Sequence, residues 1–382
     1  MITRRHFLVG SFPLTISACT THDAFRLAES VARGSSLESI VTSQAQSKAK
    51  AWVANPDSLK SDVKRFERFL SSISGSWGDS DSIRATPKEY VKYTDSYINR
   101  ARINFETGLV TVESLDPLLL KKTIVTTLLT PFNPERVDLF SDKDVPLGDV
   151  PFLYNQLTDN EGKPVRWEWR AERFAQYLVD KKLQSREIVD VSGNHKKLVF
   201  VEFPLVEKHS VNRKFKYSAY VERFASQYGL ESALVYAIIK TESNFNPYAV
   251  SWVPAYGLMQ IVPTTAGRDA FEFIHGYPAT PSSAYLFNIE NNIRMGCAYL
   301  SILNTRYLAK VRNIRSKEYC VIAAYNGGAG NVLRSFSSSN DEAFKKINRL
   351  SPEQVWAVLR SKMPSESRSY LVKVVEAKKK YR

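Results

Sequence analysis

The stretch Ala237-Ile238-Ile239-Lys240-Thr241-Glu242-Ser243-Asn244-Phe245-Asn246-Pro247 runs an apolar helix into a carboxylate. Leu234, Ala237, Ile238 and Thr241 share one helical face, and Asn244 and Pro247 are helix-stop residues. Glu242 therefore falls in the last turn, near the negative end of the helix dipole. Partial burial beside Phe245 adds desolvation, and both effects raise a carboxyl pKa. A raised pKa keeps the group protonated near neutrality, as a general acid toward a glycosidic oxygen requires. On this segment alone an exposed surface glutamate is the better explanation, and a catalytic role depends on the segments that accompany it.

Three further segments follow in order. The first is Tyr256-Gly257-Leu258-Met259-Gln260. Gly257 permits close backbone approach at a ligand, Met259 offers a polarizable apolar wall, and Gln260 can exchange hydrogen bonds with sugar hydroxyl and acetamido groups. The second, Ala323-Ala324-Tyr325-Asn326-Gly327-Gly328-Ala329-Gly330, leaves Tyr325 and Asn326 where a helix meets a glycine-rich turn. It has neither a Walker pattern nor a preceding strand, so phosphate binding has no support. The third, Ser365-Glu366-Ser367-Arg368-Ser369-Tyr370, is a polar turn opening a helix directly after Pro364.

In this order and spacing the four segments closely resemble the catalytic domain of family 1 lytic transglycosylases, whose fold is related to goose-type lysozyme. The resemblance covers about residues 212 to 382 and implies a mainly α-helical, lysozyme-like domain. Carried over position by position, it implies Glu242 as acid and base, with the Ser243 hydroxyl beside it. It also implies Gly257, Leu258, Met259 and Gln260 along the cleft near an acetamido group. Tyr325 and Asn326 would position the sugar being cleaved, and Glu366 and Tyr370 would support Glu242 by hydrogen bonds. The implied reaction cuts the bond between N-acetylmuramic acid and N-acetylglucosamine and closes a 1,6-anhydro ring without water. Ordinary glycosidases generally need a second carboxylate, and no positional pattern picks one out here. The competing readings are a goose-type-lysozyme-like hydrolase of the same bond and a peptidoglycan-binding lipoprotein without activity.

Upstream, about residues 55 to 206 read as an α+β accessory domain without a catalytic constellation. Leu59, Val63, Phe66, Phe69, Leu70 and Ile73 recur at helical spacing until Gly75 and Gly78. Ile103 and Phe105, then Val110 and Val112, alternate with polar residues around Thr107-Gly108, a hairpin signature. Leu118–Leu129 and Arg170–Leu183 read as helices, and a second hairpin turns at Ser192-Gly193-Asn194. The polar stretch Glu207–Lys216 marks the domain boundary. Beyond it, helical faces are set by Tyr220, Val221, Phe224 and Ala225, by Ile293, Cys297 and Leu300, and by Tyr319, Ile322 and Ala323.

The first eighteen residues read as an export leader: Arg4 and Arg5 precede an apolar run, Phe7–Ile16, too short to span a bilayer as a helix. The run ends Ile16-Ser17-Ala18-Cys19, which resembles the lipobox of bacterial lipoproteins. That resemblance implies a lipid on Cys19, then a tether over residues 19–54. Thr20, which is not aspartate, implies by the family's sorting pattern the periplasmic face of the outer membrane. Arg4-Arg5 is compatible with twin-arginine or general export.

Across 382 residues, Lys and Arg exceed Asp and Glu by 53 to 39, a net charge of +14. The excess suits a polyanion such as peptidoglycan or an anionic membrane surface, and the export leader argues against nucleic acid. Three cysteines, Cys19, Cys297 and Cys320, exclude a disulfide framework. The five histidines are scattered, so neither a metal nor another cofactor is expected. Cys297 and Cys320 lie on apolar helix faces and read as buried thiols. Arg294, Arg306, Lys310, Arg312, Arg315 and Lys317 form a basic stretch read as a solvated helix surface or a contact for peptide-stem carboxylates.

Overall fold

The computed structural model describes residues 56–251 and 255–381, with side chains from residue 67 onward. The leader, Cys19 and the tether lie outside the described residues. The N-terminal half is α+β. Helix α1 (Pro56–Asp81) precedes β1 (Glu89–Thr94), β2 (Asn99–Asn104) and β3 (Leu109–Ser114). Helices α2 (Leu120–Leu128) and α3 (Glu168–Lys182) follow, then β4 (Gln184–Val189) and β5 (His195–Pro204).

The five strands form one antiparallel sheet in the order β1-β2-β3-β5-β4. The first expected hairpin is β2–β3, with Ile103 opposite Val110 and Ala101 opposite Val112. Its turn is closed by Asn104, whose Oδ1 accepts from the Glu106 and Thr107 amides, and by Gly108 at φ 73°. Strand β1, which sequence periodicity did not reveal, pairs with β2. Both faces of the sheet are covered. Phe69, Ile73 and Trp77 of α1 pack on one with Val91 and Tyr93, while α2 and α3 cover the other. A strand buried on both faces loses the alternation that would announce it. Helix α1 continues through Gly75, where nothing crowds the backbone, and breaks instead at Gly78 (φ 72°). A Cβ at Gly78 would stand 2.1 Å from the Val189 carbonyl oxygen, so only glycine admits this contact between α1 and the end of β4.

The C-terminal half is helical: α4 (His209–Lys216), α5 (Ser218–Gln227), α6 (Ser232–Ser243), α7 (Arg268–His275), α8 (Ser283–Phe287) and α9 (Ile289–Ile302). It ends with α10 (Ile314–Gly327), α11 (Ala329–Arg334), α12 (Asn340–Arg349), α13 (Pro352–Lys362) and α14 (Ser365–Lys379). Side-chain caps set several starts: Ser282, Asn288 and Asn313 each accept from the amide three residues on. Helix α6 is the central one, with Leu234 to Ile239 all buried.

The two halves do not have separate cores. One apolar cluster runs from Tyr90 of the sheet through α6 to Val374 of α14. The polar stretch Glu207–Lys216 is mostly helix, and within it Arg213 is 0% exposed. A polar sequence at this point conceals a buried guanidinium.

Candidate active site

Glu242 lies in the last turn of α6, whose C-cap Asn244 is left-handed (φ 51°) and returns its amide to the Lys240 carbonyl at 3.1 Å. Part of Glu242 stays exposed, yet protein atoms surround the carboxyl densely enough that desolvation lifts its pKa from the ordinary 4.5 to about 8. The Tyr370 hydroxyl opposes the shift as a hydrogen-bond donor, the charge of Glu366 adds to it, and that of Lys88 opposes it. At rest the Tyr370 hydroxyl is buried without a contact of full hydrogen-bond geometry, so it faces the carboxyl but does not yet clamp it. Burial raises the Tyr325 and Tyr370 hydroxyls far above their ordinary range, with the Glu242 charge adding to both.

The remaining segments close round this carboxyl through hydrogen bonds to one another. The Ser243 hydroxyl is fully buried, 2.8 Å from the Leu258 carbonyl oxygen and 3.1 Å from that of Ile239. It therefore ties α6 to the Tyr256–Gln260 turn and does not face a cleft. Tyr325 donates from its hydroxyl to the Met259 carbonyl at 2.8 Å. Asn326 accepts from the Ser367 hydroxyl at 2.7 Å and donates to Glu366 Oε1 at 3.3 Å. Gly327 makes this junction of α10 and α14 tight, since a Cβ there would meet Ser367 Oγ at 2.5 Å. The second Glu366 oxygen is buried without a partner.

In the turn itself, Leu258 and Met259 point into the core, and Met259 fills the space over Gly296. Gln260 donates to the Ala249 and Gly257 carbonyls at 3.1 and 3.0 Å, leaving its Oε1 buried and unpartnered. Gly257 (φ 72°) is required by a protein neighbour: a Cβ would lie 2.4 Å from Asn292 Nδ2. Asn292 is a site residue that sequence reasoning missed. It accepts from the Met259 amide at 2.8 Å and donates to the Tyr256 and Leu286 carbonyls at 2.7 and 2.8 Å. A polar residue within the apolar stripe of α9, between Ile289 and Ile293, was the available signal.

The N-terminal half grips the residues directly after Glu242. Asn244 and Phe245 both have positive φ (51° and 62°), a conformation that costs about 1–3 kcal/mol per residue. Asn244 Nδ2 donates to the Phe105 carbonyl at 2.5 Å, and Asn246 Nδ2 to the Pro87 carbonyl at 3.1 Å. The Tyr248 hydroxyl donates to the Pro131 carbonyl, and its ring meets Tyr90 edge-on at 5.1 Å. Arg213 bridges the seam, donating to the Asn244 carbonyl at 3.3 Å and to Gln156 Oε1 at 3.0 Å. Burial first, then the charges of Arg213 and Lys240, lowers His209 to about 4. His209 therefore stays neutral and can accept from Arg213 at 2.7 Å.

Cys297 and Cys320 are free and buried, and burial pushes the Cys320 thiol up to about 12. Two cations of the expected basic stretch pair with carboxylates of later helices, Lys310 with Asp341 at 2.9 Å and Arg315 with Glu353 at 3.0 Å. Among the described residues no group of His, Cys, Asp and Glu side chains could hold a metal ion, and no helix is long and apolar enough to cross a membrane.

Residues 52–216 match the family described as the N-terminal domain of membrane-bound lytic murein transglycosylase C, and residues 219–348 match the transglycosylase SLT domain. Proteins named membrane-bound lytic murein transglycosylase C from Yersinia pestis and Yersinia pseudotuberculosis are each 48% identical over 321 residues, covering 82% of this chain and 88% of theirs. Among solved structures, the 70-kDa soluble lytic transglycosylase of Escherichia coli is 27% identical over 44% of this chain and 24% of its own, with a TM-score of 0.34. The ring of contacts round Glu242 thus sits in a chain that belongs to the membrane-bound lytic murein transglycosylase C family.

Proposed function

We propose that Glu242 is the single acid and base of this lytic transglycosylase, which acts on peptidoglycan. The observation that carries the assignment is a carboxyl at the end of α6 whose surroundings lift its pKa to about 8. Protonated at neutrality, Glu242 gives its proton to the oxygen joining N-acetylmuramic acid to N-acetylglucosamine, and the bond from that oxygen to the muramyl C1 breaks. The sugar's own acetamido group meets the positive charge at C1. Glu242, now a carboxylate, takes the proton of the 6-hydroxyl as that oxygen bonds to C1 and closes the 1,6-anhydro ring. One proton leaves the enzyme and one returns, and no water is consumed. Tyr370 stands as the donor that steadies the transient carboxylate, and Tyr325 holds the Met259 carbonyl in place.

The test is digestion of purified sacculi by the wild type and by Glu242→Gln, with mass analysis of the sugar ends. Wild type is expected to release 1,6-anhydro ends, and the folded variant none. Release by the variant overturns the assignment, and reducing ends instead of anhydro ends mark a hydrolase.

Relatives named as membrane-bound, together with the Ile16-Ser17-Ala18-Cys19 sequence, support a lipid anchor on Cys19. In this reading residues 1–18 are removed and residues 19–54 tether the enzyme to the outer membrane. Residues 55–206 form the accessory domain and residues 212–382 the catalytic one.

A further inference from the structure

Helices α6, α10 and α14 come together at both of their ends. At one end stand Glu242 in the last turn of α6, Tyr325 and Asn326 in the last turn of α10, and Glu366 and Tyr370 in the first turns of α14. At the other end stands Lys378, in the last turn of α14 and 3% exposed. Its ammonium lies 2.8 Å from Glu231 Oε2 and 2.8 Å from Glu318 Oε2. Glu231 is the N-cap of α6 and Glu318 belongs to α10, so one buried cation joins all three helices. Arg315 and Lys379 line the opening beside it but pair elsewhere, with Glu353 and Glu376.

Ser367, Tyr370, Val374 and Lys378 are all buried and follow one side of α14, because residues three and four apart share a helix face. On such a stripe a leucine or methionine would pack without desolvating a charge, and a buried ion pair adds little net stability by comparison. What the charge supplies is direction. Apolar contact between α14 and α6 changes little when one helix slides on the other, whereas an ammonium held to two carboxylates fixes α14 along its axis. Ser367, donating to Asn326 at 2.7 Å, ties the opposite end of α14 to α10. Lys378 lies eight residues, about 12 Å, along the helix from Tyr370. The Tyr370 hydroxyl faces Glu242 without full hydrogen-bond geometry, so a shift of about 1 Å decides whether it reaches the carboxyl as charge develops.

We propose that Lys378 is a remote positioning residue for the reaction: held by Glu231 and Glu318, it sets the axial position of α14 and with it the approach of Tyr370 to Glu242. The inference rests on the reading of Glu242 as acid and base, and adds to it a control point at the far end of the same helices.

The experiment uses the full chain, with Lys378→Met and Glu318→Gln made singly and each combined with Tyr370→Phe. Release of anhydro ends is followed from pH 5 to 10. Lys378→Met should lower kcat about tenfold with KM within about twofold, and should move the alkaline limb upward as Tyr370→Phe does. Glu318→Gln should do the same to a smaller extent. The groups facing Glu242, namely Tyr325, Glu366, Tyr370 and Lys88, are intact in both single variants. The field of the lost charges would shift the limb oppositely in the two, since one loses a cation and the other an anion; displacement of α14 shifts it the same way in both. In the Tyr370→Phe background neither substitution should cost further activity. A Lys378→Met protein that melts earlier but keeps the wild-type kcat and limb overturns the proposal, as does a loss that multiplies that of Tyr370→Phe. If Lys378→Met does not fold, Glu318→Gln decides by the same comparison. A wild type that releases no anhydro ends refutes the transglycosylase reading itself.

Discussion

Two substitutions that flank Glu242 should move its titration in opposite directions. Tyr370 lowers the carboxyl pKa by donating toward it and Glu366 raises it by charge, within a balance dominated by burial that reaches about 8. The protonated form is the active one, so kcat/KM should fall on the alkaline side with an apparent pKa near that value. Tyr370→Phe removes the donor and should push this limb upward. Glu366→Gln removes the charge and should pull it down, each by roughly one unit, or about 1.4 kcal/mol. At pH 9 a limb at 8 leaves about 9% of the enzyme proton-loaded, against about 50% for a limb at 9 and about 1% for a limb at 7. The two variants should therefore differ by about fiftyfold in this factor at pH 9 and not at all at pH 5, where every form is loaded. The assay is the release of anhydro ends across pH 5 to 10 at low substrate. Limbs that move together, or stay fixed while the rates fall, would refute the assignment of the limb to Glu242.

Two further outcomes concern stability. A folded-state pKa above the unfolded 4.5 means the native state binds the extra proton, so this contribution is whole below 4.5 and is lost as pH rises through about 8. Glu242→Gln should accordingly gain on wild type across that window, by on the order of 3 kcal/mol after discounting partial exposure, with little difference at pH 4; melting both proteins from pH 4 to 9 measures it. Asn244→Ala leaves a Cβ residue at φ 51° and strips the Phe105 carbonyl of its short donor, which should cost about 2–3 kcal/mol in urea unfolding. Asn244→Gly loses the same bond with the strain removed and should cost less.

The hairpins were legible because β2, β3 and β5 show alternation and their turns use Thr107-Gly108 and Ser192-Gly193-Asn194. Strand β1 was not, because Val91 to Thr94 are all buried and even Lys92 reaches inward to the Ser141 carbonyl. The position of Glu242 in the last turn of a helix was legible because a helix end, a stop residue and an apolar flank all act locally. The roles of its neighbours were harder to read. Ser243, Leu258 and Met259 look like cleft residues in sequence, but their side chains face inward. The partner of Gly257 is Asn292, thirty-five positions away in the chain and indistinguishable by local pattern from any polar helix residue. The join between the halves was hidden for a similar reason, since α4 reads as polar although Arg213 is wholly enclosed.

The shared apolar cluster has a consequence for anyone cutting this gene. Expressing only the stretch after α4 would bare the inner faces of Tyr217, Phe245 and Tyr248 and deprive Asn244, Asn246 and Tyr248 of their acceptors at Phe105, Pro87 and Pro131. A fragment that keeps these contacts must include Pro87 and the β2–β3 turn, together with the end of α1 whose Phe69, Ile73 and Trp77 cover the sheet.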